Sequence, residues 1–129
     1  MGFELGPASR GRLVHVHADL RRVVERAIAL SDVDFRVLEG VRTKARQRAL
    51  VAAGASRTMN SRHLTGHAVD LGALVGGRIA WDWPLYAKIA EAMKRAAKEL
   101  GIALVWGGDW RTLKDGPHFE LPRAAYPAS

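Results

Sequence analysis

Two short segments place the strongest constraint on how this chain can fold. Ser61-Arg62-His63-Leu64-Thr65-Gly66-His67-Ala68-Val69-Asp70 and Asp115-Gly116-Pro117-His118-Phe119-Glu120 lie far apart in the chain, yet together they hold three of its five histidines. Each sets imidazoles and carboxylates beside apolar, strand-like residues. A carboxylate drawn into such surroundings needs a partner, because burying an unpaired charge is costly. A fold that satisfies both segments at once brings them side by side.

The remainder reads as scaffold. Leu13, Val16, Leu20, Val23, Val24, Ala27 and Leu30 recur at helical spacing with arginines between them, which predicts one amphipathic helix over 12–31. Alternation over 33–38 predicts a strand, broken at Gly40. Thr43 is placed to cap a second helix running to Ala53 and stopped by Gly54. Residues 54–66 are rich in Ser, Thr, Asn and Gly and read as a loop. Residues 68–74 form a strand that turns at Gly76-Gly77 into 79–81. Asp82 caps, and Pro84 opens, a long helix to Leu100 that Gly101 closes. Strands at 102–106 and 118–121 complete the set. The expected fold is α+β: one small domain of about three helices on a small, mostly antiparallel sheet.

At 129 residues there is room for a single domain, with a core over about 12–121 and a loose tail over 122–129. Such a chain buries roughly two-thirds of its unfolded surface. The absence of cysteine excludes disulfides, thiolate ligands and a cysteine nucleophile. No apolar run approaches the roughly 20 residues of a membrane span. The start, Met1 to Pro7, lacks the basic-then-apolar pattern of a signal peptide, so synthesis in the cytoplasm is expected. The net charge of +7 favours anionic partners. No motif interleaves aromatics with a basic stripe, so no nucleic acid is expected among them.

Histidine and carboxylate suit Zn²⁺, and a catalytic zinc takes three protein ligands while keeping one position open. A turn at Gly66 can bring His63 to Asp70. Ala68 shares side-chain parity with Asp70, so Asp70 is expected to point inward, where a metal would neutralise it. A turn at Gly116-Pro117 lets His118 act as a ligand while Asp115 serves as general base. His67 is a rival, since His63 and His67 would share a helix face, although Gly66 weakens that helix and no Glu follows His63. Spacing alone leaves His63, His67, Asp70 and His118 competing for three places.

The pattern Ser61-x-His63-x-x-Gly66-x-Ala68-x-Asp70, followed by Asp115-x-x-His118, resembles the signature of the zinc peptidases related to D-alanyl-D-alanine carboxypeptidases and dipeptidases. Within them it is most similar to phage endolysins with L-alanyl-D-glutamate peptidase activity. The likeness runs from about 13 to 121 and includes Leu38-Glu39-Gly40-Val41-Arg42-Thr43 and Gln47. It implies one Zn²⁺ per chain at the sheet edge, held by His63, Asp70 and His118, with His67 on a variable position. It implies that Asp115 takes a proton from the attacking water and returns it to the leaving amine. Other members carry Glu there, so Asp gives a shorter reach. Arg42 would face the scissile carbonyl oxygen or a substrate carboxylate. Ser61 and Gln47 would support the site, and Glu120 would orient a ligand histidine. Trp106 and Trp110 flank a glycine loop beside it, Trp110 toward a substrate groove and Trp106 toward the core.

The resemblance thus implies a monomeric, bacteriolytic zinc endopeptidase acting on peptidoglycan stem peptides between L-Ala and D-Glu. It would reach periplasmic murein after release from the host cytoplasm, and its positive charge would favour the anionic envelope. Three rivals predict different outcomes. A D,D-carboxypeptidase or dipeptidase of the same fold would liberate free D-Ala. A non-catalytic, metal-stabilised envelope binder would have no use for Asp115. A membrane-active basic protein would be indifferent to chelators.

Overall fold

The structure, a computed structural model, describes residues 2–127. Its sheet contains β1 (Asp34–Glu39), β2 (Ala68–Val75), β3 (Arg78–Ala80), β4 (Val105–Trp106) and β5 (His118–Glu120). The order is β1-β2-β5-β4, with β3 also pairing with β2, and every pairing is antiparallel. Around it lie α1 (Pro7–Leu13), α2 (Ala18–Leu30), α3 (Lys44–Ala52) and α4 (Trp83–Leu100). The α+β class holds, with four helices rather than three.

The helix expected over 12–31 is two helices. α1 starts earlier, at Pro7, where a proline has no hydrogen-bonding N–H to lose. The chain then turns, Val16 N–H donating to Leu13 O at 3.0 Å. His17 opens α2, its Nδ1 accepting from Asp19 N–H at 3.1 Å. Histidine is an uncommon cap, which hides the break from a sequence reading. The apolar spacing also runs on across the turn, because Leu13, Val16 and Leu20 all enter one core.

That core joins α2 (Val23, Val24, Ala27) and α4 (Tyr86, Ile89, Met93) to Phe35, Val37 and Phe119 of the sheet. On β2 it takes Val69, Leu71 and Ala73. Alternation then puts Ala68 and Asp70 on the opposite face. The shared parity of Ala68 and Asp70 is real, but it points away from the main core. Ala68 is buried without belonging to that core, and Asp70 keeps 22% of its side chain exposed. Asp70 therefore looks into a cleft.

Smaller differences have local causes. β4 is shorter than 102–106 because Ile102 serves the end of α4, its N–H donating to Ala97 O at 2.9 Å. Asp82 occupies the cap position of α4 without a side-chain hydrogen bond. The tail is tied down within the described residues. Tyr126 O–H donates to Asp19 Oδ2 at 2.6 Å, and Arg62 Nη2 donates to Tyr126 O at 2.7 Å. Of the stretch expected to be loose, residues 128 and 129 lie outside the described residues.

Candidate active site

Strand register builds the floor of the cleft. Asp70 on β2 pairs with His118 on β5 and with Glu39 on β1, so the three side chains form one row across three strands. The row depends on an irregularity. Val37 pairs with Leu71 but Glu39 with Asp70, which leaves Leu38 as an extra residue. Without that bulge Glu39 would share the core-facing parity of Val37; with it Glu39 joins the face of Asp70.

His63 arrives on a tight turn, Arg62–Thr65, between the loop and β2. Ser61 Oγ accepts His63 N–H at 3.2 Å, and Arg42 N–H donates to His63 O at 2.9 Å. Gly66 ends the turn at φ 77°, and a Cβ there would lie 2.8 Å from His15 O. Gly66→Ala is therefore expected to cost about 1–3 kcal/mol, read as a lower midpoint in thermal or urea unfolding.

His63, Asp70 and His118 each offer one ligand atom, all within 4.8 Å of one another. Their hydrogen bonds test whether a cation fits. His63 Nδ1 lies 2.9 Å from Gly40 O, and since a carbonyl only accepts, Nδ1 carries the proton. The lone pair of His63 Nε2 is then free, on a ring only 2% exposed. That atom is buried without a hydrogen-bond partner, although Asp70 Oδ1 is 3.2 Å away. Lone pair facing carboxylate is repulsive unless a cation stands between them. His118 instead faces a carboxylate from each nitrogen: Nδ1 lies 3.2 Å from Asp70 Oδ1 and Nε2 lies 2.8 Å from Glu120 Oε1. The donor set of two imidazoles and one carboxylate, with an orphaned nitrogen at its centre, fits a divalent transition metal.

The metal-free electrostatics agree. Burial works against a charge on His118, but hydrogen bonds to Asp70 and Glu120 outweigh it and push the imidazole up to about 9. Burial also opposes the charge on Asp70, yet the hydrogen bond from His118 holds its carboxyl well below the usual range. A metal at His118 Nδ1 must displace a proton that is present at neutral pH. Metal binding at pH 7 should therefore release about one proton, and affinity should climb as pH rises toward about 9. Titration calorimetry in buffers of differing ionisation enthalpy reads the released proton directly. Without metal, the raised His118 value contributes stability that is fully present below about pH 6.5 and lost as pH rises through about 9.

The turn over 115–118 carries the other acid. His118 N–H donates to Asp115 O at 3.2 Å, and Asp115 N–H donates to Gly107 O at 3.1 Å. Trp106 packs against the core and its Nε1–H donates to Gly116 O at 2.7 Å, so it braces this turn rather than lining the cleft. Burial and then the charge of Asp70 raise the Asp115 carboxyl, while His118, His63 and Arg42 pull it down. Trp110 lines the cleft with its ring 5.1 Å from that of His118.

Arg42 is held from three sides. Nε donates to Glu39 Oε1, Nη1 donates to Gln47 Oε1 at 2.8 Å, and Nη2 lies 3.6 Å from Asp70 Oδ2. Fully buried Gln47 passes the restraint on, its Nε2 donating to Ser56 Oγ at 2.8 Å and to Thr58 O at 2.5 Å. Glu39 did not stand out as a site residue in the sequence; its only signal there is the i,i+3 spacing to Arg42. His67 lies elsewhere, its ring 5.3 Å from that of His17 and 6.5 Å from that of Tyr126. The resulting cleft has a volume of about 790 Å³ and takes in Arg42, His63, Asp70, Asp115, His118 and Glu120.

Comparison with known proteins identifies the family. The family model described as phage L-alanyl-D-glutamate peptidase matches residues 1–122. The L-alanyl-D-glutamate peptidase of Escherichia phage T5 is 36% identical over 130 residues, covering 98% of this chain and 94% of that protein. The L-alanyl-D-glutamate peptidase of Listeria phage A118 is 36% identical over 94 residues, which cover 73% of this chain and 32% of that protein. Among solved structures, the Serratia marcescens L-Ala D-Glu endopeptidase ChiX matches with a TM-score of 0.91 and 53% identity, over 95% of this chain and 93% of that one. Matched over almost its whole length by the family model and by relatives of the same description, the chain belongs to the phage L-alanyl-D-glutamate peptidase family.

Proposed function

We propose that this protein is a zinc-dependent endopeptidase that cleaves the L-Ala–D-Glu bond in peptidoglycan stem peptides and so lyses the bacterial wall. The observation that carries the reading is the 53% identity to an L-Ala D-Glu endopeptidase over 95% of the chain. His63 Nε2, Asp70 and His118 Nδ1 would hold the zinc, with Gly40 O and Glu120 fixing the orientation of the two rings. Zinc would supply a Lewis acid that polarises the scissile carbonyl and makes water nucleophilic near neutral pH.

The protein's own groups do the rest. Asp115, raised by burial and by Asp70, is a stronger base than a solvated aspartate and accepts the proton of the attacking water. It then returns that proton to the leaving amine of D-Glu. Arg42, held by Glu39 and Gln47, keeps a guanidinium at the cleft wall where the carbonyl oxygen gains negative charge. Trp110 forms an apolar wall beside His118. The net charge of +7 draws the protein to the anionic envelope.

The deciding experiment digests purified sacculi and identifies the products by mass spectrometry. Stem fragments with a new amino-terminal D-Glu, together with glycan strands that retain only L-Ala, are the expected products. Free D-Ala as the sole product would place the protein with the carboxypeptidases, and lysis untouched by a chelator would remove the metal from the reading.

A further inference from the structure

Five arginines line the cleft: Arg42, Arg46, Arg57, Arg62 and Arg123. Three are already engaged. Arg42 is bound to Glu39 and Gln47, buried Arg62 donates to Leu121 O and Tyr126 O, and Arg123 Nη2 donates to Asn60 O at 2.6 Å. Arg46 and Arg57 are exposed, and neither enters an ion pair among the described residues. The fold ties together the two segments that carry them. Gln47, which follows Arg46 on α3, is bonded to Ser56 and Thr58, which flank Arg57. The acids of the same cleft, Glu39, Asp70, Asp115 and Glu120, contact Arg42 or the histidines or carry the proposed base, so none of them neutralises this pair.

The chemistry of the substrate says what such a pair can bind. On the sugar side of the L-Ala–D-Glu bond the stem offers one alanine and an amide to the lactyl group, with no free carboxylate. Every free carboxylate lies on the other side, on D-Glu and on the residues after it. Exposed guanidiniums beside the cleft match that half of the chain and not the sugar half.

We propose that Arg46 and Arg57 are specificity-determining residues that bind a free carboxylate of the stem peptide on the leaving-amine side of the scissile bond. The proposal rests on the endopeptidase reading above. It also sets the direction of the bound peptide: the D-Glu half runs from the metal along α3 toward the loop over 56–60, and the sugar lies at the other end.

The test measures hydrolysis of three defined disaccharide-peptides by the zinc-loaded protein and by its Arg46→Ala/Arg57→Ala variant. One substrate carries free carboxylates, one has isoglutamine in place of D-Glu, and one has its diaminopimelate carboxylate amidated. The wild type should prefer the free-carboxylate substrate over at least one amide by about tenfold in kcat/KM, as expected for two exposed charge-assisted contacts. The double variant should lose that preference through KM, with kcat changed less than about twofold. Raising the salt should erode the wild-type preference alone. Loss confined to isoglutamine assigns the D-Glu carboxylate, and loss confined to the amidated diaminopimelate assigns the later one. Equal cleavage of all three substrates by the wild type, or a preference intact in the double variant, overturns the proposal. If none of the three is cut at the L-Ala–D-Glu bond, the endopeptidase reading itself falls.

Discussion

Asp115→Asn is expected to lower kcat by about 10²–10⁴-fold, the usual contribution of a positioned general base, while zinc content and unfolding midpoint stay close to wild type. Asparagine keeps the shape and size of the side chain but cannot take up a proton near neutral pH. The turn that presents it depends on main-chain bonds, Asp115 N–H to Gly107 O and His118 N–H to Asp115 O, and on Trp106 Nε1–H to Gly116 O. None of these involves the carboxylate, so the substitution removes the base and leaves the brace. Single-turnover kinetics on a defined muropeptide, with metal content measured on the same sample, separates the two roles. A variant that keeps most of its activity would remove Asp115 from the proton-transfer role. Asp115→Glu keeps a carboxylate at the position. It should recover part of the loss, limited by a longer side chain in a turn sized for aspartate.

Much of this was readable before the structure, and the reason differs from part to part. α4 declares itself at both ends, with Pro84 in its first turn and Gly101 at φ 70° beyond its last. α3 does so at its start, where Thr43 Oγ1 accepts from Arg46 N–H at 3.0 Å. These are local rules, and local rules survive in a sequence. The split between α1 and α2 is not local in that sense, because one core accepts apolar residues from both sides of the turn. The facing of Asp70 was misread for a related cause. Parity says which residues share a face, but only the positions of α2 and α4 say which face is the core. The residues of the proposed centre could be named from motif order, whereas their hydrogen-bond partners could not. Gly40 O, which fixes the His63 tautomer, is a main-chain atom that leaves no trace in side-chain chemistry. Glu39 reaches its place through a bulge, and a bulge is a property of two strands together.

Removal of the metal is the other large effect, and Asp70 is the position where it can be read most cleanly. Asp70→Asn keeps the side-chain volume but gives up the one anionic ligand among His63, Asp70 and His118. Loss of an outer partner of a metal ligand already costs about 10–100-fold in affinity, so loss of the ligand itself should exceed about 100-fold. Zinc should raise the unfolding midpoint of the wild type, since a ligand at 100 times its Kd contributes about 2.7 kcal/mol of stability, and the variant should lose most of that rise. Hydrolysis should fall below detection in the variant, and in the wild type after chelation, with zinc add-back restoring only the wild type. The metal-free state provides the control. There Asp70 accepts from His118 and lies against the buried His63 nitrogen, and its lowered pKa contributes stability present above about pH 4 and lost as pH falls through the native value. Metal-free Asp70→Asn should therefore lack that acid-dependent loss. A variant that keeps the full zinc-induced rise in midpoint would show that the metal sits elsewhere. A variant that loses the rise and yet still cuts murein would show that the hydrolysis does not need this centre.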